Sequence, residues 1–236
     1  MSKQLLSDRS LSPIVHPLPP IARLHVSLAS ILFIAGQATK RVVDVIGASF
    51  LLILGIPVFL AVAALVAIDG GPVFFRHRRV GKKGRTFGCI KFRTMILGAE
   101  ECLGEYLSYH PEAQMEWAKE QKLSFDPRVT AIGRFLRLSS LDELPQLINV
   151  IKGDMSLVGP RPVTQGELAH YGFATSIYKS VRPGITGLWQ VSGRNDVGYD
   201  TRVRLDEQYV KNWNLAADLQ ILLRTPAVVI SRRGAR

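Results

Sequence analysis

Cysteine and negative charge are both scarce in this chain. Its 236 residues include two cysteines, Cys89 and Cys102, which are too few for a disulfide scaffold or for a zinc site built on cysteine pairs. Acidic side chains number 19 against 30 Lys and Arg, which gives a net charge of +11. Hydrophobic residues make up 47% of the chain, enough for a substantial core, so wholesale disorder is excluded.

Several common signatures are also missing. Residues 1–10, MSKQLLSDRS, lack the apolar stretch of a secretory signal, so we expect the protein to stay on the cytoplasmic side. The sequence GKKGR at 81–85 is not a P-loop, which needs a longer glycine spacing followed by Lys and Ser or Thr. No helix-turn-helix, zinc-finger or RNP-like motif accompanies the basic residues, so nucleic acid is not an expected partner.

One long apolar run lies between Asp44 and Asp69. Its 24 uncharged residues, 45–68, exceed the roughly 20 residues that a membrane span needs. A transmembrane helix, a buried core helix and a re-entrant helix pair are the three structures that such a run can form.

Pro57, close behind Gly55, lies at the middle of this run and favours the re-entrant pair. A proline inside a helix removes one backbone hydrogen bond and bends the helix. Each half would then be about 12 residues or about 18 Å long, too short for a hydrocarbon core of about 30 Å. Basic residues flank both ends of the run, which indicates that both ends face the cytoplasm.

A basic block follows the apolar run. Residues 76–93 carry eight Lys or Arg and no acidic residue. Anionic lipid headgroups and a phosphate-bearing substrate are both candidate ligands for it. Around the block, residues 72–96 alternate β-branched and aromatic side chains about a Gly/Lys turn, which predicts a β-hairpin.

Asp142 and Glu143 lie at the start of a predicted helix from Ser140 to about Lys152, with Gly153 as its C-cap. Ser140 and Glu143 fit a capping box, which would give both residues a purely structural role. Capping leaves Asp142 unexplained, and a carboxylate in a first helical turn suits a nucleophile or a Mg²⁺ ligand. Adjacent helical residues point about 100° apart, so the pair does not match the two opposed carboxylates of a glycoside hydrolase.

Seven motifs together resemble one known family. They are KRVVD at 40–44, GGPVFFRHRRVG at 70–81, KFRTM at 91–95, DPRVTAIGRFLR at 126–137, SLDELPQLINVIKGDMSLVGPRP at 140–162, RPGITGLWQVSGRN at 182–195 and YVKNW at 209–213. With them the chain is similar to the monotopic phosphoglycosyl transferases of the bacterial sugar transferase family. It looks most like the members that start an exopolysaccharide repeat unit on undecaprenyl phosphate. Longer relatives carry several transmembrane helices before this region.

The resemblance implies transfer of a hexose-1-phosphate, galactose or glucose, from a UDP-sugar to undecaprenyl phosphate with release of UMP. It implies that Asp142 is the nucleophile, which forms a covalent phosphosugar ester, and that Glu143 is the second member of a catalytic dyad. It also implies Mg²⁺, with Asp142 as the expected protein contact, because a dication offsets the repulsion between a carboxylate and phosphates. The residues select neither the sugar nor an oligomeric state.

Basic side chains are the candidates for binding the substrate phosphates, which arginine holds with a planar bidentate fork. Arg161, between two prolines in GPRP, is the first candidate, and a turn with a solvated arginine is the alternative. The further candidates are Arg137, Lys91, Arg93, Arg182, Arg194 and Asn195. Contact with lipid headgroups is the alternative for Arg137, Lys91 and Arg93, and turn formation is the alternative for the other three.

The predicted fold is α+β and mostly helical. It is a monotopic membrane protein with a Pro-kinked re-entrant membrane helix and a compact cytoplasmic catalytic domain with a short hairpin. Residues 1–39 are predicted to be an N-terminal tail with a short apolar segment, residues 40–71 the re-entrant pair, and residues 72–236 the catalytic domain with membrane-associated amphipathic helices. The expected location is the cytoplasmic face of the cell inner membrane, in contact with membrane lipid. A basic membrane-bound scaffold for polysaccharide assembly, without catalysis, is the competing function.

Overall fold

The structure, a computed structural model, describes residues 20–120, 123–193 and 197–231, with the side chains of 20–34 and 119–120 outside the description. The chain divides into two compact units, Met1–Lys40 and Arg41–Arg236. The helices are α1 Pro20–Leu54, α2 Ile56–Ala67, α3 Ala99–Tyr109, α4 Pro111–Glu120, α5 Ala131–Ser139, α6 Gln146–Lys152, α7 Gln165–Leu168, α8 Thr175–Ser180, α9 Leu188–Val191, α10 Tyr199–Lys211 and α11 Leu215–Ser231. The strands are β1 Phe74–Val80, β2 Thr86–Phe92, β3 Ser156–Val158 and β4 Gly184–Thr186. The mostly helical α+β class is therefore confirmed.

Helices α1 and α2 are joined at Gly55, and the bend predicted at Pro57 is present. The segments Ala35–Leu54 and Ile56–Ala67 meet at 65°. Pro57 occupies the first turn of α2, where its missing N–H leaves no hydrogen bond unmade. Across the described ranges, no single helix has the length and apolar character to cross a membrane, whereas this bent pair meets both requirements together.

Helix α1 begins at Pro20 and runs without a break into the apolar segment. The helix therefore passes through the predicted boundary between residues 39 and 40 without interruption. The reason is local: between Pro20 and Gly55 the sequence contains no proline, and its two glycines, Gly36 and Gly47, are tolerated inside the helix.

The predicted hairpin is confirmed as β1 and β2. The strands pair antiparallel, with Phe74 opposite Phe92 and Val80 opposite Thr86. A short turn of 3₁₀ type, Lys82–Gly84, joins them, and Lys83 takes a left-handed conformation there with φ of 59°. The hairpin places Lys91 near the end of β2.

A second strand pair was not expected from the sequence. Strands β3 and β4 are parallel, with Ser156 opposite Gly184 and Val158 opposite Thr186. Strand β4 comes from the RPGITG motif at 182–187. Its Gly184 permits close backbone approach, because a Cβ at this position would lie 2.1 Å from the backbone nitrogen of Gly159.

Buried apolar side chains form three clusters in the second unit. The first joins α6, β3, α10 and α11, with Val150, Met155 and Ile221 among its members. The second lies under α7 and α8 and includes Tyr171 and Tyr178. The third packs α2 and α5 against Phe92 of β2. Strand β2 contributes Cys89 to the first cluster and Phe92 to the third, so Lys91 lies on a strand that is packed on both sides.

Helix α11 is amphipathic, as predicted for helices of the catalytic domain. Asp218 and Ile221 on this helix are buried, whereas Leu219 and Leu223 are exposed. Buried and exposed positions thus lie on different faces, and contact of the exposed face with a membrane surface stays a prediction.

Candidate active site

Asp142 lies on a single 3₁₀ turn, Leu141–Glu143, between α5 and α6. Its side chain is buried, with 8% of the residue exposed. Helix α5 begins at Thr130, whose hydroxyl accepts a hydrogen bond from the N–H of Gly133 at 2.9 Å. At the end of α5, Ser140 adopts a left-handed conformation with φ of 58°, which reverses the chain into the turn.

The capping box predicted at Ser140 and Glu143 is wrong. Ser140 is the C-cap of α5, and its side chain makes no capping hydrogen bond at the start of the 3₁₀ turn. The backbone N–H of Leu144 donates to Leu141 at 3.2 Å, and Pro145 has no N–H to continue the series. Helix α6 therefore begins at Gln146. The predicted C-cap is confirmed, since Gly153 ends α6 with φ of 95°.

Lys91 reaches the acidic pair from strand β2. Its ammonium donates to Oε1 of Glu143 at 2.6 Å and lies 3.4 Å from Oδ2 of Asp142. Burial lowers the pKa of Lys91, but the two carboxylates outweigh that effect and raise its pKa above the ordinary value. The lysine is therefore a permanent positive charge at this site.

The surroundings of Asp142 change its pKa in two opposite directions. Burial raises the pKa of its carboxyl group, and the neighbouring Glu143 raises it further. Lys91 and Arg137 oppose this rise and favour the ionised form. An anionic Asp142 thus depends on the two cations that stand beside it.

Arg137 is held in the last turn of α5. Its Nε donates to Oγ1 of Thr94 at 3.0 Å, directly after strand β2. Burial lowers the pKa of this guanidinium, and the charge of Asp142 acts against that change. The predicted phosphate-binding residue therefore lies within electrostatic range of the predicted nucleophile.

Arg161 follows strand β3, between Pro160 and Pro162. Its guanidinium carbon lies 5.6 Å from the centre of the Trp189 ring, and its charge lowers the pKa of Lys91. In this way the structure brings five predicted site residues into one neighbourhood, namely Asp142, Glu143, Lys91, Arg137 and Arg161.

Arg93 has structural contacts. Its guanidinium forms a salt bridge to Asp69 and donates to the backbone oxygens of Pro72 at 2.7 Å and Val66 at 3.0 Å. These contacts attach the end of α2 to strand β2. Its donors are directed to protein acceptors, and phosphate binding by Arg93 stays a prediction.

Arg182 likewise has a structural contact. Its Nε donates to the carbonyl of Gly153 at 2.7 Å, and Arg41 donates to Val150 and Ile151 at 2.6 and 2.9 Å. The last carbonyls of a helix lack intrahelical partners and carry partial negative charge. Arg182 therefore stabilises the end of α6, a role the sequence did not predict, and Arg194 and Asn195 lie outside the described residues.

Three aromatic residues within the family motifs pack in or against the core. Trp189 and Tyr209 are 3% and 5% exposed, and the Tyr209 hydroxyl donates to Asp218 at 2.7 Å. Trp213 packs against the first cluster and donates from its indole N–H to the same carboxylate at 3.1 Å.

Two positioning residues were missed in the sequence. Asn149 is buried on α6, accepts from the N–H of Ile90 at 2.9 Å and donates to the carbonyl of Gly88 at 2.9 Å. It thereby attaches α6 to the strand that carries Lys91. Arg79 pairs with Glu167 at 2.7 Å and donates to Pro162, next to Arg161. No local pattern identifies either residue, because both act across long sequence separations.

The acidic pair fits a magnesium ion that arrives with a substrate. Within the described ranges, no group of three or more His, Cys, Asp or Glu side chains is placed to hold a metal ion. Mg²⁺ commonly uses one or two carboxylates together with substrate phosphates and water. Asp142 and Glu143 are a donor set of that kind.

The sequence matches the family model described as "Bacterial sugar transferase" over residues 35–232. The chain is 54% identical over 199 residues to the exopolysaccharide production protein ExoY of Rhizobium meliloti, covering 84% of this chain and 88% of that protein. It is 52% identical over 196 residues to the undecaprenyl-phosphate galactose phosphotransferase of Salmonella typhimurium, covering 83% of this chain but 41% of that protein. It is 39% identical over 212 residues to the UDP-glucose:undecaprenyl-phosphate glucose-1-phosphate transferase of Caulobacter vibrioides, covering 86% and 73% of the two chains.

Proposed function

The chain belongs to the bacterial sugar transferase family, and from this premise we propose that it transfers a hexose-1-phosphate from a UDP-sugar to undecaprenyl phosphate. The names of its relatives in Salmonella and Caulobacter support this activity, and the name of ExoY supports a role in exopolysaccharide synthesis. One observation carries the proposal at the level of residues: the buried Asp142 carboxylate lies beside Glu143 and is contacted by the ammonium of Lys91.

In the proposed first step, a carboxylate oxygen of Asp142 attacks the β-phosphorus of the UDP-sugar. The bond from this phosphorus to the bridging oxygen breaks, and UMP leaves with that oxygen. The sugar phosphate is then bound to Asp142 as an acyl phosphate ester. In the second step, an oxygen of the lipid phosphate attacks the same phosphorus, the bond to Asp142 breaks, and the carboxylate is regenerated.

The positive groups around Asp142 support this reaction. A carboxylate and a diphosphate repel each other, and Lys91, Arg137 and Arg161 provide fixed positive charge on the protein side of that encounter. Lys91 also opposes the rise in the pKa of Asp142 that burial causes. Asp142, with Glu143 beside it, would hold Mg²⁺, which when bound would reduce the negative charge of the phosphates.

We extend the proposal to the membrane. The bent pair at Gly55 exposes large apolar side chains such as Phe50, Leu54 and Leu60, which suits insertion into one leaflet at the cytoplasmic face of the inner membrane. Cysteines introduced singly at Arg41 and Arg76 should react with an impermeant reagent from the same side of the bilayer. Labelling from opposite sides would contradict the re-entrant arrangement.

The covalent intermediate is the sharpest test of the proposed activity. The purified, detergent-solubilised full chain would be incubated with magnesium and a panel of UDP-sugars without lipid acceptor. We expect a hexose-phosphate mass on the protein, located at Asp142 by peptide mass spectrometry. Asp142→Asn should abolish the adduct and turnover, whereas Asp200→Asn, an exposed position on α10, should change neither.

Three other results have distinct meanings. UMP release that requires the lipid acceptor, without any adduct, would contradict an accumulating intermediate and indicate direct transfer. Retained turnover in Asp142→Asn would overturn the nucleophile. Absence of both adduct and UMP release with every donor would favour the non-catalytic scaffold.

A further inference from the structure

Trp189 is flanked by two arginines. The guanidinium carbon of Arg202, on α10, lies 4.3 Å from the centre of the indole ring, and that of Arg161 lies 5.6 Å away. Trp189 itself is 3% exposed. Cations stack favourably on the face of an indole, so the ring holds both guanidinium groups in position. We call Arg161, Trp189 and Arg202 the arginine–tryptophan cluster.

This cluster contains polar groups without partners. Among the side-chain atoms that the structure describes, Nε of Arg202 and Nε1 of Trp189 are buried and have no hydrogen-bond acceptor. Buried polar groups nearly always have a partner in proteins, so two adjacent orphan donors need an explanation. Both atoms can only donate, and a ligand with acceptor oxygens would satisfy them.

Two other arginines with little exposure are paired with carboxylates. Arg79 contacts Glu167 at 2.7 Å, and Arg128 contacts Asp126 at 2.7 Å. Within the described ranges, neither Arg161 nor Arg202 forms a salt bridge, and burial together with the charge of Arg161 lowers the pKa of Arg202. Two like charges held together without a salt-bridge partner form a site that favours an anion.

The nearby carboxyl group of Asp206 neutralises the positive charge of Arg161 and Arg202 only in part. Burial raises the pKa of Asp206 to about 7, against the effects of the Tyr171 hydroxyl and the Arg161 backbone N–H. Its Oδ2 accepts from Tyr171 at 2.7 Å and its Oδ1 has no partner among the described groups. Burial therefore weakens the ability of this carboxyl group to neutralise the two arginines.

The cluster lies in a series that begins at the nucleophile. Asp142 is contacted by Lys91, the charge of Arg161 acts to lower the pKa of Lys91, and Arg161 shares the Trp189 ring with Arg202. In an in-line displacement at phosphorus, the leaving oxygen departs on the side opposite the attacking group. Lys91, Arg161 and Arg202 form a row of positive charges that leads away from Asp142. Such a row is suited to bind the phosphate of the leaving UMP.

We propose that Arg202, together with Arg161 and the indole N–H of Trp189, binds the phosphate of the UMP half of the donor. This assignment rests on the proposed function and specifies which part of the donor the cluster holds. The phosphate of the lipid acceptor is chemically similar, and the two sources are separated by the measurements below.

The first measurement is equilibrium binding of UMP and of uridine to the detergent-solubilised full chain. Arg202→Gln should weaken UMP binding by tenfold or more and leave uridine binding unchanged, because only the phosphate contact is lost. Arg202→Lys keeps the charge but removes the planar fork. Its affinity for UMP should lie between those of the wild type and Arg202→Gln. Arg204→Gln is the matched control, since Arg204 is exposed two residues along the same helix and donates to Thr201.

The second measurement separates donor from acceptor. Arg202→Gln should raise the KM for the UDP-sugar by tenfold or more and weaken product inhibition by UMP to the same extent, with the KM for undecaprenyl phosphate unchanged. A merely structural role would lower the melting temperature and affect UMP and uridine alike. If the Gln variant does not fold, the Lys variant carries the same comparison.

Each contrary outcome has one meaning. Wild-type turnover together with unaltered UMP binding in both Arg202 variants would overturn this inference and leave the proposed function intact. A change confined to the KM of the lipid acceptor would reassign the cluster to the lipid phosphate. A wild-type protein that neither turns over nor binds UMP would overturn the proposed function and this inference with it.

Discussion

The ammonium of Lys91 lies 2.6 Å from Oε1 of Glu143, closer than the 3.4 Å that separates it from Oδ2 of Asp142. The lysine is therefore bound mainly by the residue next to the proposed nucleophile. This arrangement leaves Asp142 near a positive charge without a short contact that would have to break before the carboxylate attacks. Glu143 thus acts as an anchor for Lys91 in the structure.

Replacing Lys91 by Met should therefore impair the reaction strongly. Without the ammonium, two adjacent carboxylates face an incoming diphosphate, and kcat/KM should fall by about 100-fold or more, the scale of losing one preorganised charge contact. UMP-release assays on folded protein measure this. Lys211→Met, which removes an exposed ion pair with Glu207 on α10, is the control and should retain activity. A Lys91→Met variant with near wild-type kcat/KM would contradict the electrostatic role.

Asn149→Ala should destabilise the catalytic unit. The substitution leaves the N–H of Ile90 and the carbonyl of Gly88 without their partner in the interior, at a cost of about 2–4 kcal/mol. Thermal or denaturant unfolding measures the loss, and Asn212→Ala is the control because the Asn212 side chain is exposed. Equal stability of the two variants would show that the contact between α6 and β2 contributes little.

Two glycines in helices should respond oppositely to alanine. A Cβ on Gly133 of α5 would lie 2.0 Å from the backbone oxygen of Thr94, so Gly133→Ala should push α5 away from β2 and lower both stability and activity. Gly104 of α3 has open space around it, and Gly104→Ala should raise stability by up to about 1 kcal/mol. Unfolding curves of both variants make the comparison. A tolerated Gly133→Ala would be inconsistent with this close approach.

Asp206→Asn should change how stability depends on pH. Burial raises the pKa of this carboxyl to about 7, so the folded state favours its protonated form. Its stabilising contribution is then complete below the ordinary value of 3.8 and is lost as pH rises towards 7. The wild type should lose stability relative to Asp206→Asn between pH 5 and pH 8, by on the order of 2 kcal/mol or several degrees. Melting temperatures across that range measure it, with Asp200→Asn as control, and a pH-independent difference would refute the assignment.

Local sequence patterns determined much of the architecture. Alternating apolar residues around GKKG predicted the hairpin that carries Lys91, and the Gly55 and Pro57 pair predicted the bend between α1 and α2. The Gly153 cap was predicted equally well. These features depend on steric and hydrogen-bonding rules within a few residues, and such rules can be read along the chain.

The start of the acidic segment could not be predicted in this way. The spacing of Ser140 and Glu143 satisfied a capping box, yet the left-handed Ser140 and the imino nitrogen of Pro145 produced a separate 3₁₀ turn. Two local rules competed at this point. The packing of α5 against β2 and of α6 against the core decided between them.

Charge composition alone determined that the protein is basic and handles anions, and the motifs determined its family. Only the tertiary structure decided which cations lie near Asp142. Arg93 and Arg182 were candidates behind Arg161 in the sequence, and they donate to Asp69 and to the end of α6. Arg202, which no motif singled out, lies on Trp189 beside Arg161. The physical reason is that a guanidinium binds whichever acceptor the fold places within about 3 Å of it, and a linear sequence does not contain that distance.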